Sequence, residues 1–126
     1  MKLIAGLVAV PIVAVVGLAM SAPAPAQQSG AQAFAACRAC HTLNKGGRNG
    51  IGPNLNGMFT RPSGSLPGFN YSPAMKAAKL KWDDKTLNDY LAAPMKKVPG
   101  SRMPISTPDA AKRAAIIAYL KSETAK

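Results

Sequence analysis

One pentapeptide constrains this chain more than any other stretch: Cys37-Arg38-Ala39-Cys40-His41. It holds both cysteines and the single histidine of a 126-residue sequence. Two thiols three residues apart project from the same side of a helical turn, and an imidazole follows directly. That spacing suits two thioether bonds to the vinyl groups of one haem, with the histidine placed under the metal as its proximal ligand.

The competing readings of the same residues fail on chemistry. A redox-active C-x-x-C pair is usually met beside a βαβ pattern, and none is visible. A structural zinc site needs four N or S ligands, whereas two Cys and one His supply three. A plain disulfide leaves His41 without a role. Covalent haem also answers a problem of size. Eleven Gly and eleven Pro in so short a chain predict many loops, and a small loop-rich domain struggles to bury enough apolar surface by itself. Long loops are uncommon in compact domains unless something organises them.

The formal net charge of +11 points to acidic partners or surfaces. Nucleic acid is the first candidate by charge, but the basic residues are scattered and no nucleic-acid motif occurs. For any one lysine, a solvated basic surface is the default.

The N-terminus reads as an export segment. Lys2 precedes an apolar run from Leu3 to Met20, followed by Ser21-Ala-Pro-Ala-Pro-Ala26 with an A-x-A cleavage pattern at Ala24-Pro25-Ala26. Cleavage there makes 1–26 a signal peptide and leaves 27–126 as one mature domain. The alternative is an uncleaved membrane anchor joined by a stiff Ala/Pro linker, since the run is just long enough to span a bilayer. Either way the domain is expected outside the cytoplasm: periplasmic, or tethered to the inner membrane facing the periplasm.

Along the mature chain the pattern predicts an all-α fold of short helices and long loops. Gly30 to Cys40 reads as one short helix running into the pentapeptide. Thr42 to Gly52 and Arg61 to Gly68 are Gly- and Pro-rich loops. Tyr71 to Lys79 reads as a helix with Ser72 as N-cap and Pro73 at its first position. A further helix begins at Asp83, carries Leu87, Tyr90 and Leu91 on one face, and stops at Pro94. Met95 to Ser106 reads as loop. Thr107-Pro108-Asp109 opens the last helix, with Thr107 as cap, Pro108 at its first position and a stripe through Ile116, Ile117 and Leu120. No period-two strand pattern is convincing.

A second axial ligand is the next question. Methionine sulfur closes a haem iron and raises its potential. Four of the six methionines fall within the domain: Met58, Met75, Met95 and Met103. Methionine usually fills cores, yet Met103 sits in the irregular stretch Pro99-Gly100-Ser101-Arg102-Met103-Pro104, between prolines that limit its freedom. Ser101 there is placed to hydrogen-bond near the ligand or a haem propionate.

With these motifs in order, the sequence resembles class I cytochromes c of the mitochondrial and bacterial c2 type over about residues 30–126. Gly30 and Phe34 resemble the family's N-terminal helix contact, which packs on an aromatic of the last helix, here Tyr119. GIGPNLNGMF resembles the loop after the attachment site. The resemblance implies that the Pro53 carbonyl accepts the proximal histidine N–H, a bond that fixes the tautomer and raises ligand basicity. It further implies that Arg61, Tyr71 and Trp82 hydrogen-bond the propionates, that Tyr90 packs beside the methionine, and that Met103 is the second axial ligand. Three positions depart from the family's habit: Ile105 where phenylalanine is common, Met75 where mitochondrial members have asparagine, and Met95 in place of a basic residue.

The implied function is one-electron transfer without catalysis, through one haem c held by Cys37 and Cys40. A bc1-type complex is the expected donor; a terminal oxidase or photosynthetic reaction centre is the expected acceptor. Lys45, Arg48, Lys96, Lys97 and Arg102 are candidates for steering toward acidic docking faces of these partners. The chain is expected to be a monomer that binds no nucleic acid. Two other classes compete: a haem enzyme or gas sensor, which needs an iron left open by Met103, and a cytochrome subunit docked permanently in a respiratory complex.

Overall fold

The computed structural model describes residues 28–126, together with Gly17 and Ser21. The export-segment reading therefore falls almost wholly outside the described residues. Among the described residues no helix is long and apolar enough to cross a membrane.

Among the described residues five α-helices form: α1 (Gly30–Ala33), α2 (Pro73–Ala78), α3 (Asp84–Ala92), α4 (Pro94–Lys97) and α5 (Ala110–Thr124). Two 3₁₀ turns, Ala35–Ala39 and Met58–Thr60, join them. No strand is present among the described residues; a single antiparallel bridge pairs Pro62 with Lys81. The all-α class expected from the sequence is what the chain adopts.

Helix α1 opens with a reciprocal cap. The Ser29 hydroxyl accepts from the Gln32 backbone N–H, and the Gln32 side chain accepts from Ser29 N–H. The expected single helix from Gly30 to Cys40 is instead interrupted at Phe34. Beyond it the coil tightens: Cys37 N–H bonds Phe34 O at 2.9 Å and Cys40 N–H bonds Cys37 O at 3.1 Å. In a 3₁₀ coil, side chains at i and i+3 eclipse, so the tighter winding stacks the two cysteines more directly than an α-turn.

Helix α2 carries the anticipated Ser72 cap and Pro73 start. It stops where Lys79 turns left-handed, at φ 44°. Asp83 proves to be the N-cap of α3 rather than its first residue, its carboxylate accepting from Thr86 N–H at 2.8 Å. Pro94 both ends α3 and begins α4, a turn not anticipated from the sequence. A proline lacks the N–H that a helix interior needs, but at the first helical position that N–H is unpaired anyway. The start of α5 also differs from expectation. Asp109 is the cap, accepting from Ala111 and Lys112 N–H. Thr107 and Pro108 stay outside the helix, their backbone engaged elsewhere: Thr107 N–H bonds Leu91 O at 2.8 Å, and Arg113 donates to the carbonyls of both.

Helices α1 and α3 both pack on α5. Phe34, Leu87, Leu91, Ile116, Ile117 and Leu120 form the main buried cluster, joined by Ala33, Leu43 and Met58. A second, smaller cluster joins Met75, Tyr90 and Val98. Trp82 and Met103 alone pack against both clusters among the described residues, marking the seam between them.

Candidate functional site

The 3₁₀ turn sets Cys37 against the main cluster, Cys40 and His41 follow directly, and all three are partly buried. Burial pushes the Cys37 thiol up from its ordinary pKa, with Lys112 pulling weakly the other way.

His41 is oriented from the following loop. Its Nδ1 lies 2.7 Å from the Pro53 carbonyl, which fixes Nδ1 as the protonated nitrogen. Burial lowers the imidazole pKa, against the Pro53 bond, so the ring is neutral and Nε2 keeps its lone pair. The loop reaches His41 only because of glycines. A Cβ on Gly52 would stand 2.3 Å from His41 Cε1, and one on Gly50 would stand 2.8 Å from Cys40 O. Gly52 N–H bonds Cys40 O at 2.9 Å, which lays the loop directly against the pentapeptide.

An asparagine framework holds that loop, and residue patterning alone does not single it out. Asn54 is 6% exposed. Its Nδ2 donates to Thr42 Oγ1 at 2.7 Å and to Asn44 O at 2.9 Å, while its Oδ1 accepts from Asn56 N–H. Asn49 Oδ1 accepts from Asn54 N–H at 2.8 Å. Asn56 Nδ2 donates to Leu43 O and Lys126 O. The only prior signal was the density of Asn among the glycines of this segment.

On the other side of the seam, Gly100 turns the chain with φ 91° and Ser101 follows it into the interior. Ser101 Oγ lies 2.9 Å from Tyr90 OH, both residues being buried, and accepts weakly from Met103 N–H at 3.4 Å. Burial raises the Tyr90 phenol pKa, with the Ser101 bond opposing. The Trp82 ring meets Tyr90 edge-on at 5.2 Å. Tyr90, Ser101, Met103 and Trp82 are thus one connected group.

Two of the expected propionate partners are tied up locally. Arg61 donates to Asn56 O at 2.5 Å and Asn54 O at 3.1 Å, so it braces the His41 loop. Tyr71 OH accepts from Leu66 N–H at 3.4 Å, and its ring packs edge-on against Phe69. Both residues are partly buried. The three departures have distinct fates. Met75 is buried against Tyr90 and Val98, whereas Met95 and Ile105 are 54% and 56% exposed.

The donor set fits a covalently held haem. Paired thiols sit on one tight turn, a neutral imidazole has its outer nitrogen already committed, and a thioether lies at the apolar seam. The proposed steering residues Lys45, Arg48, Lys96, Lys97 and Arg102 are all exposed. Lys97 is not free, lying 3.4 Å from the Asp89 carboxylate that also pairs with Lys85 at 2.9 Å.

A small all-α domain with this turn and this seam belongs to the class of haem-binding electron carriers. The family model for cytochrome c matches residues 27–124. Cytochrome c2 of Rhodoblastus acidophilus is 45% identical over 93 residues, covering 73% of this chain and 87% of that protein. Cytochrome c of Nigella damascena is 43% identical over 108 residues, covering 82% of this chain and 96% of that protein. The solved structure of cytochrome cH from Methylobacterium extorquens matches with a TM-score of 0.68 at 43% identity, over 74% of this chain and 94% of that one. The chain belongs to the cytochrome c family. Its cofactor is haem c, and Cys37 and Cys40 are the only thiols it has for the attachment.

Proposed function

We propose that this protein is a one-electron shuttle rather than an enzyme, with His41 and Met103 as the two axial ligands. When bound, the haem supplies the ferrous/ferric couple. The chain's own residues then set its environment. His41 presents Nε2 while Pro53 holds Nδ1–H. Met103 presents its sulfur from a loop whose backbone is fastened to Ser101. Trp82, Arg61 and Tyr71 offer donors at the polar edge. His41 and Met103 would together leave no open position for a substrate, and a rigid site would keep the reorganisation on electron transfer small.

The observation that carries this reading is the position of Met103 at the seam, packed against both apolar clusters. A core-filling methionine belongs to one cluster, as Met58 and Met75 do. Replacing Met103 with Ala is expected to lower the reduction potential and to let the reduced protein bind carbon monoxide rapidly at neutral pH. A parent protein that already binds carbon monoxide as fast as the variant, at the same potential, overturns the assignment and favours an open-iron haem enzyme or gas sensor.

The proposal extends to partners and location. A bc1-type complex donates electrons, and a terminal oxidase or photosynthetic reaction centre accepts them, through small transient interfaces. The exposed cations Lys45, Arg48, Lys96 and Arg102 steer these encounters. Residues 1–26 act as a signal peptide, and 27–126 work in the periplasm. The apolar run from Leu3 to Met20 keeps one second reading in view, a carrier tethered to the inner membrane. The intact mass of protein from the soluble and membrane fractions separates the two.

A further inference from the structure

The Pro53 carbonyl that accepts from His41 is one end of a peptide group whose other end is the Asn54 N–H. A peptide unit is planar and conjugated, so its oxygen and its N–H are electronically coupled. Asn49 Oδ1 accepts from Asn54 N–H at 2.8 Å, and Pro53 O accepts from His41 Nδ1–H at 2.7 Å. The two bonds therefore lie in series across one peptide: the Asn49 amide oxygen, the Asn54 N–H, the Pro53 carbonyl, and the imidazole.

We propose that Asn49 is a positioning residue that tunes the reduction potential through this relay, a role that rests on His41 being an axial ligand. Hydrogen bonds in series polarise one another, each strengthening the next by about 10–30% in condensed-phase estimates. An acceptor on the Asn54 N–H draws charge along the peptide and makes the Pro53 oxygen a better acceptor. That oxygen then takes a larger share of the Nδ1 proton and leaves the imidazole more electron-rich. An electron-rich ligand favours the oxidised metal, so the relay holds the potential down.

The surroundings make Asn49 the adjustable member of the chain. The peptide itself cannot shift, because the Asn54 side chain is buried and satisfied by Thr42, Asn44 and Asn56. Arg61 fixes the next carbonyl, that of Asn54. Gly52 is pinned to Cys40 O. Asn49, by contrast, is exposed, so its side chain is replaceable without cutting into the core. It is also flanked by Arg48 and Gly50, and by no acidic residue, so nothing else on its own segment supplies a negative acceptor.

Two substitutions on the haem-loaded protein test this. Asn49→Leu keeps the side-chain shape and removes the acceptor; Asn49→Asp keeps the acceptor and charges it. The midpoint potential is expected to rise in N49L and fall in N49D. In the reduced, diamagnetic protein, exchange of the His41 Nδ1 proton measured by NMR is expected to be faster in N49L and slower in N49D. N49L changes no charge, so its shift has no simple Coulombic origin. Potentials and exchange rates equal to the parent's in both variants, or shifts in the same direction in both, overturn the relay. Should N49L fail to retain haem, N49D decides: an unchanged exchange rate overturns the proposal even if its potential moves, because the added charge alone acts through space. The ligand reading is checked separately. If the His41 ring protons of the oxidised parent lack the large hyperfine shifts of an iron-bound imidazole, His41 as ligand falls and the relay falls with it.

Discussion

Gly30 and Tyr119 touch so closely that no side chain fits between them. A Cβ built on Gly30 would stand 2.6 Å from Tyr119 Cβ and 3.1 Å from Cγ. This contact lets α1 lie on α5 near their termini, with the Phe34 and Tyr119 rings 5.7 Å apart and tilted by 44°. Arg38, inside the attachment motif, spans both rings and donates to the Tyr119 hydroxyl. The docking of the two helices is thereby coupled to the segment that carries the cysteines.

Gly30→Ala is accordingly expected to destabilise the fold. The clash is with the first atoms of a side chain fixed on a helix, so the helices themselves must separate. Overpacking of this kind costs about 1–3 kcal/mol. Guanidinium denaturation of the haem-loaded variant checks it, and a midpoint equal to the parent's contradicts the packing argument.

The Tyr90 phenol gives a pH dependence with a definite sign. Burial raises its pKa in the folded protein above the ordinary value near 10. Between the two values the folded state holds a proton that the unfolded state has released. Stability from this group is therefore complete below the ordinary value and falls as pH climbs through the folded one. Replacing Tyr90 with Phe should flatten that alkaline decline. It should also cost about 1–3 kcal/mol at neutral pH, since the buried Ser101 hydroxyl loses its good partner. Urea titrations at neutral and alkaline pH measure both effects.

Lys96 and Lys97 are neighbours of equal formal charge and unequal expected effect. Lys97 shares the Asp89 carboxylate with Lys85, which cancels part of its field. Lys96 makes no ion pair among the described residues. At low salt, Lys96→Gln should slow electron transfer to an acidic partner by several-fold, and Lys97→Gln should slow it less. The difference should vanish near 1 M salt, where the screening length is about 3 Å. Equal rates for the two variants at low salt would contradict the shielding by Asp89, and a Lys96→Gln rate equal to the parent's would remove Lys96 from the steering set.

Much of this site was legible from residue types and spacing. The pentapeptide names its own chemistry, because no other Cys or His exists to compete with it. Ser72-Pro73 announces a helix start, and the Ile116, Ile117, Leu120 stripe announces the face of α5. Two of the misread boundaries share one cause. Cap choice at Asp109 and the continuation from α3 into α4 depend on which backbone groups are taken by distant partners, such as Leu91 O and Arg113. Local propensity carries no information on those.

The four methionines divide the matter most sharply. The sequence by itself determined that a haem is held at Cys37 and Cys40 and that the chain has a thioether to spare, because covalent chemistry follows from residue identity and short spacing. Only the tertiary structure buried Met58 and Met75 in separate clusters, left Met95 in solvent and put Met103 at the seam between them. It likewise decided that the Asn49 amide and the His41 imidazole meet the two ends of one peptide. Burial and hydrogen-bond partnership are set by contacts between residues far apart in the chain, and no local pattern encodes them.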